Sequence, residues 1–199
     1  MLLVEAVLRS PILGAACRLT GRERTGLEAR LRGMIPGGVH HGARLRLGRG
    51  VEFIAPEKIR LGEDVSLFGH TILNAFGPSG EIIIGDSTHI DHFAVLYGQG
   101  GLSIGKKCAI ASRVTIYSQT NQYRDSPETP IVDQSVQYAP VYIGDDVWIG
   151  AGAVLLPGAH VGDHCVVAAG AIVRGGAVPP WSIVAGVPAK VIGDRRRAS

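Results

Sequence analysis

The sequence predicts an all-β fold in which about six triangular coils of short strands form a parallel β-helix. Three observations lead to this prediction: a six-residue spacing of aliphatic residues, small residues at a fixed offset from them, and a recurring glycine motif. Neither the 3.6-residue period of an α-helix nor the two-residue alternation of an isolated strand produces a spacing of six. A six-residue unit instead fits a short strand followed by a tight corner, and three such units close one coil of 18 residues.

The spacing is clearest near the C-terminus, where six aliphatic residues follow one another at intervals of six. They are Ile143, Ile149, Leu155, Val161, Val167 and Val173, and the residues four positions later are Val147, Ala153, Ala159, Cys165, Ala171 and Ala177. Groups of the same kind begin upstream at Val39, Leu61, Ile84 and Ile104. We expect the aliphatic residues to fill the interior, and the residues four positions later to point inward beside them.

A glycine motif marks the first strand of each group. It reads "LGED" from Leu61, "IGDS" from Ile84, "IGKK" from Ile104, "IGDD" from Ile143 and "VGDH" from Val161. We expect glycine at this corner because the backbone there adopts a conformation that a side chain would strain.

The composition excludes several classes of function. A formal net charge of +3 does not favour a nucleic-acid partner. The three cysteines show no paired spacing, which favours a reducing, cytoplasmic setting. We divide the chain into an N-terminal helical or amphipathic segment (1–35), a β-helix domain (36–193) with an extruded loop (118–141), and a basic tail (194–199). Residues 1–20 either pack on the end of the domain or contact a membrane surface peripherally, and packing is favoured.

Three stretches of the sequence resemble a known family. "IGDDVWIGAGAVLLPGAHVGDHCVVAAGAIV", "PPWSIVAGVPAKVI" and "LYGQGGLSIG" resemble the left-handed β-helix acyltransferases with hexapeptide repeats, closest to the sugar and polysaccharide O-acetyltransferases. The resemblance covers residues 39–193. It implies transfer of an acetyl group from acetyl-coenzyme A to a saccharide hydroxyl, with a histidine as general base, at a subunit interface of a cytoplasmic homotrimer. It implies no metal.

The resemblance also implies particular residues. Matching motifs assign Trp148, Ala151, Ala169, Arg174 and Lys190 to coenzyme A, and the two cations suit a cofactor that carries phosphates.

The loop departs from the family pattern. Where many relatives have a catalytic histidine, this chain has Asn121, which cannot accept a proton at neutral pH but can orient a hydroxyl. The next loop residues, Tyr123, Arg124 and Asp125, are predicted to bind the acceptor.

Another base is therefore needed, and the candidates are His89 and His92. His89 is ranked first because His89 and Trp148 are each the sixth residue of a repeat unit on the same face. We read His40, His41, His160 and His164 as surface residues.

Two alternative functions stay open. The chain can be an N-acetyltransferase of an amino sugar nucleotide, or a non-catalytic β-helical scaffold that lost the loop histidine.

Overall fold

The computed structural model describes residues 38–197 and a short strand at Arg24–Thr25. The described residues contain 24 strands and two 3-10 helices, η1 (Pro56–Lys58) and η2 (Ile131–Asp133), so the all-β prediction is confirmed. In chain order the strands are β1 (Arg24–Thr25), β2 (His40–His41), β3 (Arg46–Leu47), β4 (Glu52–Ile54), β5 (Ile59–Leu61), β6 (Ser66–Leu67), β7 (Ile72–Asn74), β8 (Ile82–Ile84), β9 (His89–Ile90), β10 (Val95–Tyr97), β11 (Leu102–Ile104), β12 (Ala109–Ile110), β13 (Thr115–Tyr117), β14 (Gln119–Asn121), β15 (Val136–Tyr138), β16 (Val141–Ile143), β17 (Trp148–Ile149), β18 (Val154–Leu155), β19 (Ala159–Val161), β20 (Val166–Val167), β21 (Ile172–Val173), β22 (Gly176–Val178), β23 (Ser182–Gly186) and β24 (Ala189–Asp194).

Three sheets form the three faces of a prism. Face A runs β3-β6-β9-β12-β17-β20-β23, with β1 and β24 added antiparallel at its ends. Face B runs β2-β5-β8-β11-β16-β19-β22, and face C runs β4-β7-β10-β13-β18-β21. Each coil takes one strand from face B, then one from face A, then one from face C. Six complete coils and a partial seventh, made by β22 and β23, result, which agrees with the predicted number.

The interior is filled by the aliphatic residues of the repeat. Ile90, Ile110, Ile149 and Val167 stack on face A with no exposed surface, and the other faces carry similar columns. Most of the residues four positions later are buried too, including Cys108 and Cys165, and burial raises the pKa of both thiols.

Ala177 is the exception to the inward pattern. It is exposed, because β22 pairs Val178 with Val161, only 17 residues earlier. A coil that is one residue short shifts the register and turns Ala177 outward.

The glycine motif forms the edge between faces B and A, but for a reason different from the one expected. A Cβ at Gly105 would lie 2.5 Å from the Gly144 carbonyl oxygen, so glycine is required by the close approach of the next coil. The left-handed conformation falls two residues later, at non-glycine positions such as Lys107 and Asp146.

The aspartate of the motif fastens neighbouring coils at the same edge. Asp145 accepts a hydrogen bond from the Lys106 backbone N–H at 2.8 Å, and Asp163 accepts one from the Asp145 backbone N–H at 2.8 Å.

The long polar insertion leaves the prism at the edge between faces C and B. Its strands β14 and β15 pair antiparallel as a hairpin, and Ala139 donates its backbone N–H to the Ser118 carbonyl where the insertion begins and ends.

Several predictions concern residues outside the described part of the chain. The membrane contact of residues 1–20, Cys17, and all of the N-terminal segment except Arg24–Thr25 lie there; Arg24–Thr25 forms β1, antiparallel to β3. No helix among the described residues has the length and apolar character needed to cross a membrane.

Candidate active site

The edge between faces A and C, here called the A–C edge, brings several predicted residues into one row. Each lies two positions after a buried aliphatic residue of face A: His92, Ser112, Ala151 and Ala169. Backbone hydrogen bonds link the successive corners, such as that from the Arg113 N–H to the His92 carbonyl at 3.0 Å. Because neighbouring coils are about 4.8 Å apart, the row extends about 14 Å from His92 to Ala169.

A cleft of about 560 Å³ opens along this row. It is lined by His92, Phe93, Ser112, Arg113, Ala151 and Gly152. In the described part of the chain, the backbone N–H groups of Ala151 and Ala169 donate to no protein acceptor. These two residues have no polar side chain, so the free backbone N–H groups are the hydrogen-bond donors that they offer to a ligand.

His92 is held by a carboxylate. Its Nδ1 lies 2.7 Å from Oδ1 of Asp91, which also accepts the His92 backbone N–H at 2.8 Å. The other carboxylate oxygen accepts the Ser112 hydroxyl at 2.8 Å. Asp91, His92 and Ser112 therefore form one hydrogen-bonded group at the margin of the cleft.

The protonation state of this group follows from its contacts. Partial burial alone would raise the pKa of the Asp91 carboxyl, but hydrogen bonds from His92 and Ser112 outweigh it and hold that pKa below its ordinary value. An ionised carboxylate can only accept hydrogen bonds, so Nδ1 of His92 carries the hydrogen. In the neutral ring Nε2 is then the nitrogen that can accept a proton, and it makes no hydrogen bond to any described residue.

His89 lies on face A and has no such support. It is exposed on β9, and its ring makes no hydrogen bond to any described residue. His89 pairs in register with Ala109, and Ala109 pairs with Trp148 in the next coil. His89 and Trp148 are therefore two coils apart on the same face, as the six-residue repeat predicted. Trp148 is 55% exposed in the middle of this face, away from the row of corners.

Lys190 lies at the far end of the A–C edge. It pairs with Ala185 in the C-terminal hairpin of β23 and β24, directly beyond the Ala168 corner. It is exposed and makes no ion pair with any described residue. A free ammonium group at the end of the row is available to an anionic ligand.

The remaining predicted residues lie at the edge between faces C and B. A second cleft of about 720 Å³, the hairpin cleft, is lined there by residues that include Gln122, Tyr123, Arg124, Tyr138, Pro157 and Arg174. Arg174 thus lies with the predicted acceptor residues and not with Ala151 and Ala169.

Asn121 and Asp125 do not line this cleft. Asn121 is exposed on β14 between Thr120 and Gln122, which do line it. Asp125 accepts the Ser135 hydroxyl at 3.5 Å within the hairpin.

Three features of the site were not predicted from the sequence. The pairing of Asp91 with His92 was missed because the two-residue alternation of strands does not apply at a corner. Ser112 was missed although it has the same position in the repeat as His92, Ala151 and Ala169. Gln122 gave no signal beyond its place next to Asn121. The described residues contain no group of three or more His, Cys, Asp or Glu side chains that could hold a metal ion.

Comparison with known proteins identifies the family. The family described as bacterial transferase hexapeptide (six repeats) matches residues 140–175. WbbJ of Escherichia coli K12, named as a lipopolysaccharide biosynthesis O-acetyl transferase, is 32% identical over 140 residues, which cover 67% of this chain and 70% of WbbJ. A Mycobacterium tuberculosis protein named as an acetyltransferase is 33% identical over 153 residues, which cover 75% of this chain and only 50% of that protein.

A solved structure supports the same fold. AntD, an N-acyltransferase from Bacillus cereus in complex with dTDP and 3-hydroxybutyryl-CoA, has a TM-score of 0.74 at 22% identity and covers 88% of this chain and 91% of its own. The chain therefore belongs to the hexapeptide-repeat transferase family and has its left-handed β-helix fold. It is an acyltransferase, as the resemblance predicted.

Proposed function

We propose that the protein transfers an acetyl group from acetyl-coenzyme A to a hydroxyl of a sugar or polysaccharide precursor, with His92 as general base. The observation that carries this proposal is the group formed by Asp91, His92 and Ser112 at the margin of a cleft. The similarity to WbbJ supports the sugar hydroxyl as acceptor. His92 replaces the histidine that the loop lacks at Asn121.

The Asp91–His92 pair has the geometry that general-base catalysis needs. A hydroxyl is a weak nucleophile at neutral pH, so removal of its proton during attack lowers the barrier. Nε2 of His92 takes that proton, and the Asp91 carboxylate stabilises the imidazolium that forms. The acyl thioester supplies the electrophilic carbonyl carbon and a thiolate leaving group. The imidazolium then returns the proton to the departing sulfur, which restores the neutral base.

The A–C edge suits the donor. The free N–H groups of Ala151 and Ala169 can donate to the amide carbonyls of a pantetheine arm extended along the coils. Lys190, at the far end of the row, can pair with a phosphate. Trp148 lies outside this row, on face A.

A homotrimer would complete the site. Face C lies between the A–C edge and the hairpin, and one of its outward columns is half-buried and apolar except at Thr115. It runs Ile72, Val95, Thr115, Val154 and Ile172 in register. A second copy packed against this face would bring its own residues beside one of the two clefts. A cytoplasmic location, where the donor is made and Cys108 and Cys165 stay reduced, is part of the same proposal.

N-acetylation of an amino sugar is the second candidate, because the Asp91–His92 pair can also accept a proton from an amine that has attacked the thioester. The products separate the two reactions. Alkaline hydroxylamine, applied to the purified product, cleaves an acetyl ester and leaves an acetamide intact.

Calorimetric titration with acetyl-coenzyme A tests the donor half of the proposal. We expect a Kd in the micromolar range, about −8 kcal/mol, and about tenfold weaker binding by Lys190→Glu. Lys107→Glu is the matched control. Lys107 is an exposed lysine at the edge between faces B and A, and its side chain makes no ion pair with any described residue. Absence of binding at about 1 mM ligand would favour the scaffold function instead.

A further inference from the structure

An aromatic pair lies beside His92 at the A–C edge. The rings of His70 and Phe93 are stacked within 6° of parallel, with their centres 5.3 Å apart. Phe93 is 52% exposed and lines the cleft that begins at His92, and its ring centre lies 6.3 Å from the centre of the His92 imidazole. The His70 ring lies against Gly50 of the preceding coil, where a Cβ would come within 2.7 Å of its Nδ1. The phenyl ring is therefore supported by the two preceding coils and half-open to solvent beside the proposed base.

The fold does not need a side chain at the corner that Phe93 occupies. Its φ is 62°, in the left-handed region that a bulky residue rarely adopts. Glycine takes the same corner in two later coils, as Gly152 and Gly170, with φ of 68° and 69°. A left-handed backbone has a free-energy cost for any residue with a Cβ, and glycine avoids that cost. A half-exposed ring recovers little of it through burial, so packing does not account for a phenylalanine at this corner.

The open side of a phenyl ring suits the apolar side of a sugar. In a pyranose, several C–H bonds point to one side of the ring, and the neighbouring oxygens withdraw electron density from them. The face of an aromatic ring carries negative partial charge, so it attracts these C–H groups. The contact also removes apolar surface from water. An open-chain alcohol has no flat apolar side that could make the same contact.

The place of Phe93 relative to the base fits an acceptor. The proposed donor row extends from His92 toward Lys190, so an acceptor has to approach the imidazole from the opposite end. Phe93 lies at that end of the cleft. A sugar ring in van der Waals contact with the phenyl ring, about 4 Å away, can present a hydroxyl to the imidazole, whose centre is 6.3 Å from that of Phe93.

We infer that the acceptor is a pyranose whose apolar face stacks on Phe93, with His70 supporting the phenyl ring. The inference rests on the proposed function and deepens it. It makes Phe93 a residue that selects a cyclic acceptor with an unhindered C–H face over an open-chain alcohol. The predicted acceptor residues Tyr123 and Arg124 line the hairpin cleft, at a different edge of the same copy.

Saturation-transfer NMR on the full-length protein tests the inference. The probes are the methyl β-galactoside, methyl β-glucoside and methyl α-mannoside pyranosides, with glycerol as the open-chain control. We expect at least one pyranoside to bind with a Kd of about 10 mM or better, with the strongest transfer to the C–H protons of one ring face, and glycerol to show no transfer.

Two variants of Phe93 assign this binding to the phenyl ring. Phe93→Asn should weaken it roughly three- to tenfold without lowering the melting temperature, because asparagine tolerates the left-handed backbone and removes only the ring. Phe93→Tyr keeps an aromatic ring and should retain the Kd within about twofold. Phe76→Asn is the matched control. Phe76 is an exposed phenylalanine between β7 and β8, at the edge between faces C and B, and its loss should leave the Kd within about twofold.

Coenzyme A, titrated in parallel, separates the inference from the proposed function. Phe93→Asn should bind it within about twofold of the parent protein. If the variant weakens coenzyme A as much as the pyranoside, the ring belongs to the donor site and the inference is wrong. It is also wrong if Phe93→Asn lowers the mass measured by sedimentation, since the ring then covers an interface between copies. If no pyranoside binds while coenzyme A does, the inference fails and the proposed function stands.

Discussion

Two histidine–aspartate pairs lie on different edges of this prism, and they have different consequences. At the A–C edge, Nδ1 of His92 lies 2.7 Å from Asp91. At the B–A edge, the corner between faces B and A, Nδ1 of His164 lies 2.9 Å from Asp146. The local contact is nearly the same in both pairs, so the contact alone does not distinguish a base from a structural link.

The surroundings of each pair make the distinction. Asp146 also accepts a hydrogen bond from Arg195 at 2.9 Å, and the His164 ring stacks on Trp181 with ring centres 4.0 Å apart. This group, the C-terminal clamp, joins three consecutive coils to the residues after β24, so His164 is more than the surface residue that the sequence suggested. Asp91 is instead held by Ser112, and Nε2 of His92 is left without a partner beside a cleft. A free nitrogen next to space for substrate is what makes the first pair suited to catalysis.

Removing the base gives the largest expected effect. His92→Gln should lower kcat by about 10²–10⁴-fold, because the acceptor would have to lose its proton without a positioned base. The melting temperature should change little, because the His92 side chain is 49% exposed. Steady-state kinetics and a thermal melt on the same sample measure both. His164→Gln is the matched control, and we expect it to lower the melting temperature with kcat unchanged.

Asp91→Asn should have the next largest effect, lowering kcat about 10- to 100-fold with the donor KM unchanged. The amide can present its NH₂ to Nδ1, which favours the wrong tautomer of His92 and removes the negative charge that stabilises the imidazolium. A residue needed only for folding would not produce a loss confined to kcat. A proportional rise in donor KM would therefore contradict the positioning role of Asp91.

The contrast also shows what the sequence can predict. The repeat determines the fold, because residues such as Ile110 and Ile149 must face inward wherever the six-residue period holds. It also predicted that His89 and Trp148 lie on the same face two coils apart, because strand pairing follows the same period. The role of His92 could not be predicted in this way, since it depends on how corner side chains turn after the strand ends. The C-terminal clamp was missed because Trp181 and Arg195 lie outside the six-residue repeat.

Asp146→Asn tests the clamp. We expect a melting temperature lower by about 2–4 °C at pH 7, with activity unchanged, since an exposed ion pair contributes about 1 kcal/mol or less.

The hydrogen bonds from His164 and Arg195 lower the pKa of Asp146 from its ordinary value of 3.8. A carboxyl with a lowered pKa stabilises the folded state above its unfolded pKa and loses that effect as the pH falls through the folded value. The difference between variant and parent should therefore fade as the pH falls below 3.8. A difference that persists unchanged in acid would assign the effect to packing.

The smallest expected effect comes from His89, and it is the most demanding test of the comparison. His89→Ala should change kcat and both KM values by less than about twofold, as is usual for an exposed side chain away from functional contacts. His89 has no orienting carboxylate. It lies on face A in line with Trp148, and not in the row of corners that contains Ala151 and Ala169. The same assays used for His92→Gln measure it, so the two variants form a matched pair of exposed histidines three residues apart. A loss of tenfold or more, about 1.4 kcal/mol, would place the base on face A beside Trp148. The Asp91–His92 pair would then be a structural link like the one at the B–A edge, since a carboxylate partner would no longer mark the catalytic histidine.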